Sequence, residues 1–272
     1  MRARWWLGGG AGAVVGGLVA GRGVLSLQAR AARAVVGKPL GEDAHRADGL
    51  WKKKYGDPIE LLVLGDSIAA GLGAEDPGAT FGAQLAKRLA KKARRSVRLH
   101  VAARVGAETS QLRAQLAGLP AGYRPDVAVV VVGGNDVTHR VRVSESRRHL
   151  GEAVRTLRER GVPVVVGTCP DLGALSVLQQ PLRALAGVSS RQLAAAQREV
   201  VTELGGLAVS LADVVGPFFV TRPDEMFAVD RFHPSGAGYR RTAKAVLPSV
   251  LVALSLAEEL PHGHHGPLTR SG

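Results

Sequence analysis

The chain has 272 residues, 46% hydrophobic and 22% charged, enough for one large α/β domain and too apolar for global disorder. A single cysteine, Cys169, excludes an intramolecular disulfide and a cysteine-based zinc site. The net charge of +13 is uneven: residues 1–56 hold ten Lys/Arg against three Asp/Glu.

Arg2 and Arg4 precede an uncharged run from Trp5 to Gly21 that is rich in Gly, Ala, Val and Leu. Residues 1–22 are therefore expected to form a signal peptide or an N-terminal membrane anchor. Gly8 to Ala13 fits a loose dinucleotide fingerprint but lacks the preceding strand that this motif requires. Residues 23–56 read as a basic juxtamembrane helix and linker ending near Lys52-Lys53-Lys54. An anionic membrane surface is a fitting partner for this segment. A further basic cluster, Lys87, Arg88, Lys91, Lys92, Arg94 and Arg95, reads as a solvated helix face. With no interleaved aromatics and no binding motif, no nucleic-acid partner is expected. Together these features place the protein outside the cytoplasm, anchored or secreted.

From residue 57 to 258 short Val/Leu-rich runs alternate with helical patterns. Strands are expected at 60–65, 97–102, 127–133, 162–168 and 207–211, and helices at 79–94, 109–117, 144–160, 189–204 and 235–256. Continuous apolar strands between helices imply a five-stranded parallel sheet covered on both faces. Residues 170–190 lack a clean period and read as a loop facing the substrate, and 259–272 read as a disordered tail.

The most informative stretch is Leu61 to Gly73, where an apolar strand stops at Gly65-Asp66-Ser67. In open α/β sheets ligands bind beyond the carboxyl ends of the strands, so Ser67 is a candidate nucleophile in need of a base, an orienting acid and oxyanion donors. Of the eight histidines, His233 lies in a loop before the last helix, three residues after Asp230. In a turn, that spacing lets the carboxylate hold one imidazole nitrogen while the other faces Ser67. The Ser67 N–H, Gly106 after the second strand and the Asn135 side chain after the third are candidate oxyanion donors, all from strand carboxyl ends. Asp66 and Asp136 read as loop ties, and Cys169 as a packed residue. Phe218, Phe219, Met226 and Phe227 fit an acyl-pocket wall or ordinary core.

These blocks, Gly65-Asp66-Ser67, Gly106, Gly133-Gly134-Asn135-Asp136 and Asp230-x-x-His233, resemble the SGNH or GDSL hydrolase superfamily, in its order, over about residues 58–255. Gly167 to Gly173 and Asp230 to Ser235 are similar to exported actinobacterial GDSL lipase/esterase-like proteins. The block at Ser67 reads Gly-Asp-Ser-Ile where the name motif has leucine. The resemblance implies a flavodoxin-like three-layer α/β/α sandwich. It also implies Ser67 as nucleophile, His233 as base and acid, Asp230 as its orienter, and Ser67, Gly106 and Asn135 as the oxyanion hole. The expected activity is hydrolysis of a small-molecule, lipid or glycan ester with no cofactor and no metal. An acyltransferase or deacetylase acting on envelope glycans or lipids with the same residues is the alternative. A non-catalytic tethered binding module is a more distant one. The acyl chain, the alcohol and the oligomeric state are left open.

Overall fold

The computed structural model describes residues 23–31, 34, 40, 41 and 43–267. The expected signal or anchor segment, part of the linker and residues 268–272 lie outside the described residues. In chain order the elements are β1 (Gly49–Trp51), β2 (Pro58–Gly65), α1 (Ser67–Ala70), α2 (Phe81–Ala93) and β3 (Ser96–Val101). Then come α3 (Leu112–Ala117), β4 (Val127–Val131), α4 (Gly134–Thr138), α5 (Val143–Glu159), β5 (Val164–Gly167), α6 (Leu182–Glu203) and β6 (Leu207–Val209). Three short helices, α7 (Leu211–Val214), α8 (Gly216–Thr221) and α9 (Pro223–Met226), precede α10 (Gly236–Ala253) and β7 (His264–His265). Residues 23–31 are also helical. Among the described residues no helix is long and apolar enough to cross a membrane.

Five parallel strands run in the spatial order β3-β2-β4-β5-β6. This is the flavodoxin-like order, with its topological switch point at β2, between the connections that leave to opposite sides. Side chains alternate across β2: Leu61 and Val63 enter one core with Phe81, Leu85 and Leu89 of α2 and Tyr239, Ala243 and Val246 of α10. Leu62 and Leu64 enter the other with Leu112 of α3, Leu150 and Val154 of α5 and Val200 of α6. The period of two in the strand therefore feeds two helical layers, and the protein is a three-layer α/β/α sandwich.

The five-stranded expectation holds for the parallel core but stops short of the whole sheet, which has seven strands. β1, within the expected linker, pairs antiparallel with β3, and β7, within the expected disordered tail, pairs antiparallel with β6. Edge strands of two or three residues need only a backbone partner and show no hydropathy period, so neither was readable. The expected 170–190 loop also shortens, because α6 starts at Leu182. Its first turns, Leu182-Arg183-Ala184-Leu185-Ala186-Gly187, mix small and large apolar residues without a clear stripe.

The last strand is held by two histidines. His264 Nδ1 lies 2.7 Å from Ser249 Oγ, and His265 Nε2 lies 3.0 Å from Ser210 Oγ. Burial pushes both imidazoles below their ordinary value of 6.5, aided by the other histidine at His264 and by Arg198 at His265. A base with a depressed folded pKa is neutral in the fold while the unfolded chain takes up the proton, so its contribution is intact above 6.5 and declines as pH falls below it. We expect the urea midpoint to fall between pH 7 and pH 5, and the double variant His264→Gln/His265→Gln to show a flatter dependence. Equal slopes for the two proteins would refute this assignment.

Candidate active site

The site starts from a backbone constraint. Gly65 ends β2 at φ 134°, and a Cβ there would lie 1.8 Å from Val131 O of the neighbouring strand, so no other residue fits. Asp66 follows as the N-cap of α1, its Oδ1 accepting from Ile68 N at 3.0 Å. Its Oδ2 accepts from Gly133 N at 3.2 Å, tying the β2 turn to the β4 turn. Burial is the largest influence on this carboxyl and raises its pKa to about 6, against the backbone N–H bonds and the nearby His233 that favour the anion. Ser67 then opens α1, where the first backbone N–H groups have no partner within the helix.

The base arrives from the other end of the chain. Asp230 Oδ1 accepts from the backbone N–H groups of Phe232 and His233, both at 3.0 Å, which folds residues 230–233 into a tight turn. Asp230 Oδ2 lies 2.6 Å from His233 Nδ1, and His233 Nε2 lies 3.0 Å from Ser67 Oγ. A carboxylate only accepts, so Nδ1 carries the ring proton and Nε2 accepts from the serine hydroxyl. Burial works to raise the Asp230 pKa, but the bonds from the His233 ring and backbone outweigh it and hold the carboxyl below its ordinary 3.8. All three residues are buried.

The turn after β3 passes through Gly106 at φ 79°, where an added Cβ would meet nothing within 4 Å. The restriction there is conformational, and the glycine leaves its backbone open to the cleft. Asn135 in α4 donates one Nδ2 hydrogen to Ala107 O at 3.0 Å, which fixes the amide and leaves its second hydrogen for the cleft. Ser67, Gly106, Asn135 and His233 line one wide cleft of about 1280 Å³. Ser67 and Asn135 also border a narrow apolar cavity of about 80 Å³, walled by Leu172, Leu175, Phe219, Phe227 and Phe232 among others. Ser67, Asp230, His233, Gly106 and Asn135 are thus brought together at the switch point. A hydroxyl poised on an oriented imidazole beside converging N–H donors is the arrangement that acyl transfer requires.

The pattern of the GDSL-like Lipase/Acylhydrolase family matches residues 63–241. A GDSL-like esterase of Mycobacterium tuberculosis (strain ATCC 25618 / H37Rv) is 36% identical, over 88% of this chain and 80% of that protein. The chain belongs to the GDSL-like lipase/acylhydrolase family. It is an ester hydrolase of the SGNH type. The crystal structure of the lipase/acylhydrolase from Enterococcus faecalis is similar in fold, with a TM-score of 0.58 at 19% identity, covering 75% of this chain and all (100%) of that one. The crystal structure of TesA is similar with a TM-score of 0.52 at 27% identity, covering 72% and 99% respectively.

Around this GDSL site the loop ties are as expected from sequence. Asp136 Oδ2 accepts from Thr109 N at 3.0 Å and its Oδ1 from Ser146 Oγ at 2.6 Å. Cys169 is buried, and burial drives its thiol pKa well up, away from nucleophilic chemistry. Of the four candidate pocket residues, Phe219 and Phe227 line the narrow cavity, Met226 is core, and Phe218 lies outside the cavity lining with the Arg241 guanidinium over its ring.

Two buried glutamines were missed. Gln115 on α3 accepts from Gly65 N at 2.9 Å and donates to Gly65 O at 2.8 Å. Gln197 on α6 donates to Val132 O at 2.9 Å and accepts from Cys169 N at 2.7 Å. Each satisfies strand-end backbone groups where a ladder breaks into a site turn. Their signal was present: Gln115 interrupts the apolar stripe of Leu112 and Leu116, and Gln197 that of Leu193, Val200 and Val201.

We expect Gln115→Ala to cost about 1–3 kcal/mol of stability, because Gly65 N–H is left buried and unpaired, as read by urea unfolding. A loss below a few tenths would contradict this role. For Asp66 the folded pKa is raised, so the fold is relatively more stable while the carboxyl is protonated, and this advantage disappears as pH rises from about 4 to about 6. The stability difference between wild type and Asp66→Asn should therefore fall over that interval and level off above it. A difference that stays constant with pH would show that Asp66 is not perturbed.

Proposed function

We propose that Ser67 is the nucleophile of this ester hydrolase, His233 its general base and acid, and Asp230 the group that orients and stabilises the imidazole. The chain of contacts Asp230 Oδ2 to His233 Nδ1 at 2.6 Å and His233 Nε2 to Ser67 Oγ at 3.0 Å carries this reading. Oγ attacks the ester carbonyl as its proton passes to Nε2. The oxyanion is met by the N–H groups of Ser67 and Gly106 and by the second Nδ2 hydrogen of Asn135. Nε2 then protonates the departing alkoxide, and the alcohol leaves an acyl-serine. Water, deprotonated by the same nitrogen, attacks that intermediate, and the collapse of the second oxyanion returns Ser67 to its hydroxyl form.

The difference between the two spaces beside Ser67 supports a substrate shape. The narrow apolar cavity suits a small acyl group, and the wide cleft suits a bulky alcohol such as a lipid or glycan. A bulky alcohol also keeps the transferase alternative in view, since a second sugar hydroxyl could replace water. Product analysis in the presence of sugar acceptors separates the two. The N-terminal Arg2, Arg4 and the uncharged run that follows support a position outside the cytoplasm.

Ser67→Ala is expected to lower hydrolysis of p-nitrophenyl acetate by several orders of magnitude, with an unchanged circular dichroism spectrum. Asn135→Ala should lose about a hundredfold or more in kcat. Turnover near the wild-type rate in Ser67→Ala, or no labelling of Ser67 by a fluorophosphonate, would overturn the assignment.

A further inference from the structure

The helix at residues 23–31 lies against the site. Gln28 on this helix donates from Nε2 to Gln180 O at 2.5 Å and accepts at Oε1 from Leu182 N at 3.2 Å, at the start of α6. Leu25, Ala29 and Arg30 form part of the wall of the wide cleft together with Ser67 and His233. A segment expected to be a juxtamembrane helix leading into a linker is thus a piece of the cleft wall.

It exposes two large apolar side chains, Val24 and Leu27, beside Ser26 and Arg30. Among the described residues, the large hydrophobic side chains with the greatest exposure are Val229 (75%), Leu27 (66%), Val220 (60%), Leu185 (49%), Val24 (46%) and Val188 (46%), together with Leu256 (49%), in the turn after α10. Of the other six, Leu185 lines the wide cleft, and Val24 and Leu27 share the 23–31 helix with the cleft residues Leu25, Ala29 and Arg30. Val24 and Leu27 are spaced i, i+3 on the 23–31 helix, as are Leu185 and Val188 on α6, so each pair shares a face. Val229 adjoins Asp230, and Val220 adjoins the cavity residue Phe219. Isolated exposed valines are ordinary on a soluble surface, but a concentration around a cleft mouth marks an interaction face. The charged cleft residues Arg30 and Arg140 add positive charge.

The occupant is indicated by the sequence that precedes this helix. The described helical residues start at 23, directly after residues 1–22, whose run from Trp5 to Gly21 is uncharged and apolar. An apolar rim, cationic side chains and an apolar leading segment are together complementary to an anionic lipid surface. The basic cluster on α2 offers charge alone, with no strongly exposed large apolar side chain among its described residues. We infer that the cleft-bearing face, through Val24 and Leu27 of the 23–31 helix and Leu185 and Val188 of α6, docks on an anionic lipid bilayer and opens the site toward it. Docking is independent of the reaction. The consequence that the ester enters from the lipid phase rests on the proposed chemistry.

The test reads orientation rather than activity. In the full chain, Leu27→Cys, Val188→Cys and Lys92→Cys are each labelled with an environment-sensitive fluorophore, and buried Cys169 is shielded from the reagent in the folded protein. Vesicles of equal parts phosphatidylglycerol and phosphatidylcholine are then added. The expected result is a blue shift with increased intensity at positions 27 and 188 and none at position 92 on α2. A shift at 92 alone would mean that the basic helix docks instead. A shift at none of the three would mean that only the leading segment holds the membrane, and an equal shift at all three would mean no preferred face. Each of these overturns the inference, and none depends on whether Ser67 is the nucleophile.

Discussion

The buried carboxylate of Asp66 sets the relation between the strand ends on which the site is built. One oxygen caps the helix that presents Ser67, and the other takes the Gly133 N–H at the turn leading to Asn135. Ser67 and Asn135, the proposed nucleophile and side-chain oxyanion donor, are thereby referred to a single buried group. Burial makes that charge expensive, as the raised pKa records, and the backbone donors and His233 offset part of the cost. The position of Gly65 against Val131 O makes the same junction intolerant of any side chain.

A second set of contacts brings in the C-terminal half of the site. Ser67 and His233 are 166 residues apart in sequence, so nothing local joins them. Tyr239 at the start of α10 donates to Leu72 O at 2.6 Å, and Gly236 N donates to Glu75 Oε1 at 3.1 Å. Both bonds fasten the histidine loop to the chain just beyond α1. Since α10 also packs against α2 in the same core layer, the distance between His233 and Ser67 is held by rigid elements, as the proposed pre-organised catalysis requires.

How much of this was legible depends on how local each signal was. The five central strands and the main helices follow from apolar runs and periodic stripes, because burial on two faces or one writes a pattern over many residues. β1 and β7 were not legible, since two or three residues that pair through backbone alone leave no pattern. The triad candidates stood out as rare residue types at strand ends and in one short turn. Gln115 and Gln197 escaped because a polar residue in a helix stripe reads as a break in the pattern until its backbone partner is known. The role of residues 23–31 escaped for a related reason: a connector's composition carries no information about what it lies against.

By itself the sequence determined the local chemistry: a strand that must end at Gly65-Asp66-Ser67, a turn that joins Asp230 to His233, and glycine or asparagine after two further strands. These are written as residue types whose backbone freedom and hydrogen-bonding capacity show within a few residues, although the contact that makes Gly65 obligatory, with Val131 O, is distant in the chain. Only the tertiary structure decided the convergence of these pieces on one switch point, the division of the surrounding space into a narrow apolar cavity and a wide cleft, and the use of the 23–31 helix as a wall. Those depend on how whole layers pack, and packing is specified by the sum of many contacts between residues far apart in the chain.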